Sequence, residues 1–391
     1  MNIYFNFKLM KVRQEDIREY IINNIDFTIQ EIIEQLYTIY DELNENEKYV
    51  IQKLATFLYN EIKEKETIFQ RRREKLQTLK QLELPEQRSK EWYEMRKEKL
   101  TASALASALD KCHFTTRDEL ILSKIEDKPY ESNPITEWGV KYEDIAIAFY
   151  EELYNVKVLD FGLIPHPEFN AFGASPDGIC DDTGNKEYIA RMVEIKCPPK
   201  RKFTKTVPPH YLMQVQGQLE VCDLDECDFF QVKIEDYDSY EDYQKDIFVN
   251  DDKIIPGRTN LNFPKGVTIT YCKKDELKLS YLYAKLGLTD EEYNLWIYEN
   301  SSILESNNST IIEVKWWKIS RYECTLVHRN HQWWIDNIEH ILHFYNDLLF
   351  YKNNPENIQQ LKDKITKKGK RVKTKVIPLE DFMLLSDEED N

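Results

Sequence analysis

The sequence predicts an α/β fold, with a central mixed β-sheet flanked by helices, preceded by an α-helical module. Two observations carry this. From residue 135 to 234 the apolar pattern runs helix, three strands, helix, strand, the order expected of an α/β core. From about 14 to 82, apolar residues recur at helical spacing with neither Gly nor Pro among them.

In the first stretch Ile29, Ile32, Ile33, Leu36, Ile39, Tyr40 and Leu43 form one helical stripe, and Val50, Leu54, Phe57 and Leu58 form another. They suggest an antiparallel helix pair within a module spanning 1–85, ending near Pro85. Glu86 to Lys99 reads as a helix, and Thr101 opens a short one, TASALASALD. Thr116-Arg-Asp-Glu119 has the form of a capping box. Ile135 to Asn155 places Trp138, Tyr142, Ile145, Ala146, Phe149 and Leu153 on one stripe of an amphipathic helix. Strands are expected over 157–164, 171–180 and 188–196, then a helix from Pro209 to Cys222 and a strand from Asp228 to Ile234. Residues 236–310 read as a less regular insertion that starts in the acidic, Tyr-rich EDYDSYEDYQKD. Ile311 to His328 reads as strand and Gln332 to Tyr351 as a closing helix of a domain spanning 86–353. The tail, 354–391, is basic and then acidic, ending Ser386-Asp-Glu-Glu-Asp-Asn391, and is expected to be flexible.

At 391 residues, 41% hydrophobic and 31% charged, the composition is that of a soluble globular protein. No apolar run approaches the 18 or so residues of a membrane span, and the start lacks a signal-peptide cleavage pattern. Seven scattered cysteines suit reduced thiols in an intracellular compartment. Cys222 and Cys227 lack a matching pair at zinc spacing, and Cys324, His328 and His331 lack a fourth ligand, so both groups read as packing or surface positions. A net charge of −17 does not exclude nucleic acid, because local patches bind phosphates. Two basic stretches qualify, Lys196 to Lys205 and Lys362 to Lys375.

The chemistry concentrates in Ser175-Pro-Asp-Gly178 and Val193-Glu-Ile-Lys-Cys-Pro198. Pro and Gly put Asp177 at a strand–turn boundary. Alternation along a strand sends Glu194 and Lys196 to one face and Ile195 to the other. Two carboxylates brought together favour a hard divalent cation such as Mg²⁺, which can polarise a phosphodiester and lower the pKa of a bound water. A lysine beside them can orient that water and stabilise charge on the phosphate. By itself Glu-x-Lys is also an ordinary charge pair on a surface strand. Three neighbours strengthen the nuclease reading. Glu143 is displaced from the Tyr142/Ala146 stripe. Gln214 and Gln218 share a helix face. Arg96 and Ser103 bracket the TASALASALD start, where a helix N-terminus, a guanidinium and a hydroxyl suit an anion.

Six ordered motifs, Trp92-Tyr-Glu-Met-Arg96, Leu100-Thr-Ala-Ser103, Trp138-Gly-Val-Lys-Tyr-Glu143, Gly173-Ala-Ser-Pro-Asp-Gly178, Val193-Glu-Ile-Lys-Cys-Pro198 and Tyr211-Leu-Met-Gln-Val-Gln216, resemble the lambda exonuclease / YqaJ-like viral recombinase family of the PD-(D/E)XK nuclease superfamily. The resemblance covers roughly 88–234, with an echo at 316–334. It implies a restriction-endonuclease-like core and a metal-dependent exonuclease running 5′→3′ from double-stranded DNA ends, in recombination, repair or replication. It implies Mg²⁺ or Mn²⁺ held by Asp177, Glu194, the main-chain carbonyl of Ile195 and Glu143. Lys196 would position the attacking water and Gln214 would order the lysine. Arg96, Ser103 and Ser175 would bind a 5′-terminal phosphate, with Arg117 as the candidate for a second arginine. A single-strand annealing protein and further copies of the chain are partners the resemblance suggests. Proteins of this kind and length occur in large DNA viruses, which would place the chain in host cytoplasm or nucleus. A structure-specific or restriction-like endonuclease, and a DNA-end-binding scaffold without catalysis, are the alternatives.

Overall fold

The structure is a computed structural model that describes residues 13–126, 134–200, 203–274 and 278–372. The chain divides into two compact units, 1–77 and 78–391.

The first unit contains α1 (Gln14–Asn23), α2 (Ile29–Ile39) and most of α3 (Glu45–Lys80), three helices where a pair is expected. The extra break has a local cause. Thr28 accepts the N–H of Glu31 while the Glu31 carboxylate accepts that of Thr28, a capping box that starts α2 afresh. Glu42, at φ +63°, turns the chain ahead of α3. Ile17, Ile21, Ile32, Ile33 and Leu36 pack with Ile51, Ala55, Leu58 and Ile62. The buried face of α3 is thus rotated from the expected stripe, since Val50 and Phe57 are exposed. A shift of one residue turns a helix face by about 100°.

The second unit begins with α4 (Lys90–Glu98), whose first turn is capped by Ser89. TASALASALD is not one helix. It is β1 (Leu100–Thr101), a 3-10 turn (Ala102–Ala104) and the single turn α5 (Leu105–Ala108), stopped before Asp110 at φ +57°. Such a short helix carries little of the dipole that the anion reading invokes. Then come α6 (Arg117–Ile125), opened by the expected Thr116/Glu119 capping box, and α7 (Pro134–Tyr154).

The three expected strands appear as five: β2 (Val156–Leu159), β3 (Ile164–Pro165), β4 (Phe172–Ala174), β5 (Gly178–Gly184) and β6 (Met192–Lys196). The second is cut at Ser175–Asp177, where Pro176 has no N–H to give a ladder. The third is shortened by a 3-10 turn at Lys186–Tyr188 and by Ala190 at φ +56°. α8 (Pro209–Cys222) has the predicted bounds, and β7 (Glu226–Asp236) extends the predicted strand at both ends.

The region expected to be an irregular insertion is ordered. It holds α9 (Tyr240–Lys245), the hairpin β8 (Phe248–Asn250) and β9 (Lys253–Ile255), β10 (Lys265–Lys273), β11 (Leu279–Tyr283) and α10 (Asp290–Ser306). Val267, Thr268, Ile269 and Thr270 of β10 are all buried, so the strand lacks the alternation that would reveal it. β12 (Ser309–His328) and α11 (His331–Asn353) follow as expected. Instead of a flexible tail from 354, α12 (Ile358–Val372) continues the chain, and the acidic end lies outside the described residues.

One seven-stranded mixed sheet, ordered β11-β10-β12-β7-β6-β5-β2, organises this unit, with β6 and β7 parallel and the other pairs antiparallel. A small sheet, β1-β4-β3, holds the residues around Ser175. α7 packs Tyr142, Ile145, Phe149 and Tyr150 on Val193, Ile195, Phe230 and Val232. α8 reaches the opposite face of β6 through Gln214 and Gln218, while Gly217 lies so close to α5 that a Cβ would come within 2.4 Å of Leu105 Cδ1. Among the described residues no helix is long and apolar enough to cross a membrane.

Candidate active site

The alternation of β6 places Glu194 and Lys196 on one face, as expected. Val193 and Ile195 enter the α7 core, which leaves Glu194 and Lys196 on the α8 side. Glu194 is 0% exposed. Its Oε1 accepts from Lys196 Nζ and from Gln214 Nε2 at 2.6 Å, and its Oε2 accepts from Gln218 Nε2 at 2.6 Å. The i, i+4 spacing of the two glutamines makes this double clamp possible. A buried carboxylate needs such donors, since each hydrogen bond to a charged group contributes about 1.5–3 kcal/mol.

Asp177 sits where β5 and β6 part. The two strands pair at Gly178–Val193 and Ile179–Met192. Beyond that point Asp177 Oδ2 takes the next N–H, that of Ile195, at 2.7 Å, so a side chain replaces the ladder and the sheet opens. Gly178 is required beside it, because a Cβ there would lie 2.1 Å from Val158 Cγ1.

Electrostatics tie four groups together. Burial, then the charges of Glu194 and Glu143, push Asp177 well above the usual carboxylate range, against the pull of Lys196. Burial also raises Glu143, opposed by Arg88 and Lys196. For Lys196 burial disfavours the charge, yet Glu194 and Asp177 outweigh it and hold the ammonium above the ordinary lysine value. Its Nζ lies 5.0 Å from the Tyr211 ring centre. Glu194 and Asp177 thus favour the ammonium form of Lys196, a hydrogen-bond donor to Glu194.

The residues expected to bind a 5′-phosphate meet around one indole. Arg96 stacks over Trp92 at 4.4 Å and donates to Ser103 Oγ at 3.2 Å, while Trp92 Nε1 donates to Ser175 Oγ at 3.2 Å. Below them Lys124 Nζ donates to the carbonyls of Arg96 at 3.0 Å and Lys99 at 2.6 Å. Arg117 lies elsewhere. It pairs with Asp347 at 2.7 Å and lines a cavity of about 380 Å³ with Asp118, His340, His343 and Lys364. α11 supplies its partner, and nothing near Arg117 in sequence signals an acidic group 230 residues away.

Three participants were not singled out by the sequence. Arg88 donates to both oxygens of Glu143, at 3.2 and 3.1 Å, a pairing across 55 residues. Trp92 appears in the sequence only as part of a motif, and Gln218 only as the face-mate of Gln214. A glutamine four residues after a site glutamine is a signal that could have found Gln218.

Hard oxygen donors of Asp177, Glu194 and Glu143 suit Mg²⁺ or Mn²⁺, and the like-charge repulsion that raises Asp177 is what a dication relieves. Among the described residues no three His, Cys, Asp or Glu side chains stand in a ready metal shell. Both Glu194 oxygens are hydrogen-bonded, and Glu143 is held by Arg88.

Residues 91–225 match the family model of the YqaJ-like viral recombinase domain, within the 88–234 span of the six motifs. The chain is 33% identical over 327 residues to the uncharacterized protein R354 of Acanthamoeba polyphaga mimivirus, an alignment covering 76% of this chain and 58% of that one. It is also similar to the crystal structure of an alkaline exonuclease, LHK-Exo, from Laribacter hongkongensis. The identity is 21% and the TM-score 0.38, covering 71% of this chain and 99% of that one. The same exonuclease in complex with dAMP gives the same values.

Proposed function

We propose that this chain is a metal-dependent DNA exonuclease that degrades double-stranded DNA 5′→3′ from its ends, in recombination, repair or replication. The observation that carries this reading is the fully buried Glu194, clamped by Lys196, Gln214 and Gln218 and electrostatically joined to Asp177 and Glu143. Carboxylates and a lysine gathered where a sheet splits open are groups that metal-assisted phosphodiester hydrolysis can use.

Asp177, Glu194 and the Ile195 carbonyl would hold Mg²⁺ or Mn²⁺, with Glu143 completing the set. The bound dication supplies a water of lowered pKa and a polarised phosphodiester. Lys196 stands beside the Glu194 and Asp177 carboxylates, which favour its ammonium form. It acts as a donor that orients the water and stabilises charge gathering on the phosphate. Gln214 and Gln218 hold Glu194 while the Ile195 N–H holds Asp177, which fixes these two carboxylates at the parting of β5 and β6. The Arg96–Ser103–Ser175 group around Trp92 is the proposed seat of a 5′-phosphate. The basic stretch from Lys196 to Lys205 is the proposed backbone contact.

The test is a linear 5′-phosphorylated duplex with Mg²⁺, beside covalently closed circular DNA. The wild type is expected to release nucleotides from the linear duplex and spare the circle, and Lys196→Ala to release none. Cleaved circles would favour an endonuclease, and bound but uncut ends across several metals a non-catalytic end-binding scaffold.

A further inference from the structure

Arg88 adopts a backbone conformation that side-chain-bearing residues avoid, at φ +65°. The turn that carries it is tied down on both sides. Gln87 Nε2 donates to the carbonyls of Phe161 at 2.8 Å and Pro176 at 3.3 Å, the latter adjoining Asp177. On the other side Ser89 caps α4 by accepting the N–H of Trp92 at 3.2 Å. The turn thus links the loop of the acidic cluster to the helix that carries Arg96. At its apex the Arg88 guanidinium faces Glu143, with the two side chains 34% and 23% exposed. Asp144 and Asp160 also feel its charge.

We propose that Arg88 is an exchangeable counter-cation of the site, bound to Glu143 until a divalent cation takes that carboxylate and then turned to a substrate phosphate. This rests on the reading of Glu143 as a metal ligand. Of the three carboxylates, Asp177 is served by a main-chain N–H, and Glu194 by two glutamines and Lys196. Glu143 is served by a partly exposed arginine through one nitrogen shared between both oxygens. A dication approaching that carboxylate meets a like charge, so occupancy by one disfavours the other. The released guanidinium, on a rigid turn beside the reacting centre, is a planar fork suited to phosphate. A glycine at 88 would relieve the backbone, so the arginine is kept there at a conformational cost.

The experiment titrates Mn²⁺ into the full chain without DNA, by calorimetry. Arg88→Gly removes the guanidinium and eases the turn, and Arg88→Asn, which tolerates the same backbone, serves if the glycine variant fails to fold. Either is expected to bind Mn²⁺ about three- to tenfold tighter than the wild type. Each is also expected to raise the KM for a linear duplex. Glu143→Gln is expected to bind more weakly, and Arg88→Gly to add nothing in that background. Unchanged Mn²⁺ affinity in both Arg88 variants, with Glu143→Gln weakened, overturns the exchange and leaves the nuclease reading intact. A wild type that takes up no Mn²⁺, or a Glu143→Gln variant that binds as the wild type does, overturns both.

Discussion

Glu194 and Arg96 are both fixed by side-chain hydrogen bonds, and the difference between their surroundings matches the roles proposed for them, chemistry and recognition. Glu194 is sealed from water, with donors on both oxygens and a second carboxylate pushed up by its charge. Arg96 lies half-exposed on the face of Trp92, with a hydroxyl on one side and a buried lysine under its carbonyl. The first is built to hold charge in one geometry. The second stands partly exposed between an indole and a hydroxyl, as the proposed 5′-phosphate seat.

The largest effect should come from breaking the sealed site. Lys196→Ala and Asp177→Asn are expected to cut metal-dependent nucleotide release by at least about 10²–10³-fold. Glu194→Ala should do the same and also destabilise the fold by roughly 3–5 kcal/mol, because a partly buried lysine and two glutamines lose their acceptor. Urea unfolding checks this. Equal stability of the Glu194→Ala and Lys196→Ala proteins would show that the clamp is not what holds Glu194.

Arg96→Ala sharpens the other half. It should reduce the preference for 5′-phosphorylated over 5′-hydroxyl ends by about ten- to a hundredfold, the scale of one lost charged hydrogen bond. Rate measurements on both ends decide it, and an equal loss on the two would make the cluster a packing element.

Lys124, beneath Arg96, offers a pH test. Burial, with Arg96 and Lys352 nearby, pushes it down to about 8. In the unfolded chain it titrates at the ordinary lysine value. Between the two the unfolded state binds the extra proton, so stability should rise with pH from about 8 to 10.5 and carry the full penalty below 8. Lys124→Met should remove that slope in urea titrations across the range. The smallest effect belongs to Arg117. Its pair with Asp347 is partly exposed, so Arg117→Ala should cost less than about 1 kcal/mol and leave the end preference alone.

The two regions also differ in how far they were legible. Glu194, Lys196 and Gln214 follow from period-2 alternation and helical spacing, which act within a few residues. The N-cap at Thr116, the bounds of α8 and the mixed sheet were readable for the same reason. What local pattern could not show is long-range pairing. Arg88 meets Glu143 across 55 residues, and Arg117 is drawn to Asp347 across 230. β10 escaped notice because it is buried on both faces, and the α3 stripe was misread because its neighbours choose which face to cover.

The central claim is that the Asp177, Glu194 and Lys196 cluster cuts DNA from a 5′ end. The most direct measurement is the product pattern from one linear duplex labelled separately at each 5′ and 3′ end, with Mg²⁺, for the wild type and Lys196→Ala. The 5′ label is expected to leave first as mononucleotide with the wild type, and both labels to stay in place with the variant. Release that needs no metal, or that survives Lys196→Ala, would contradict it.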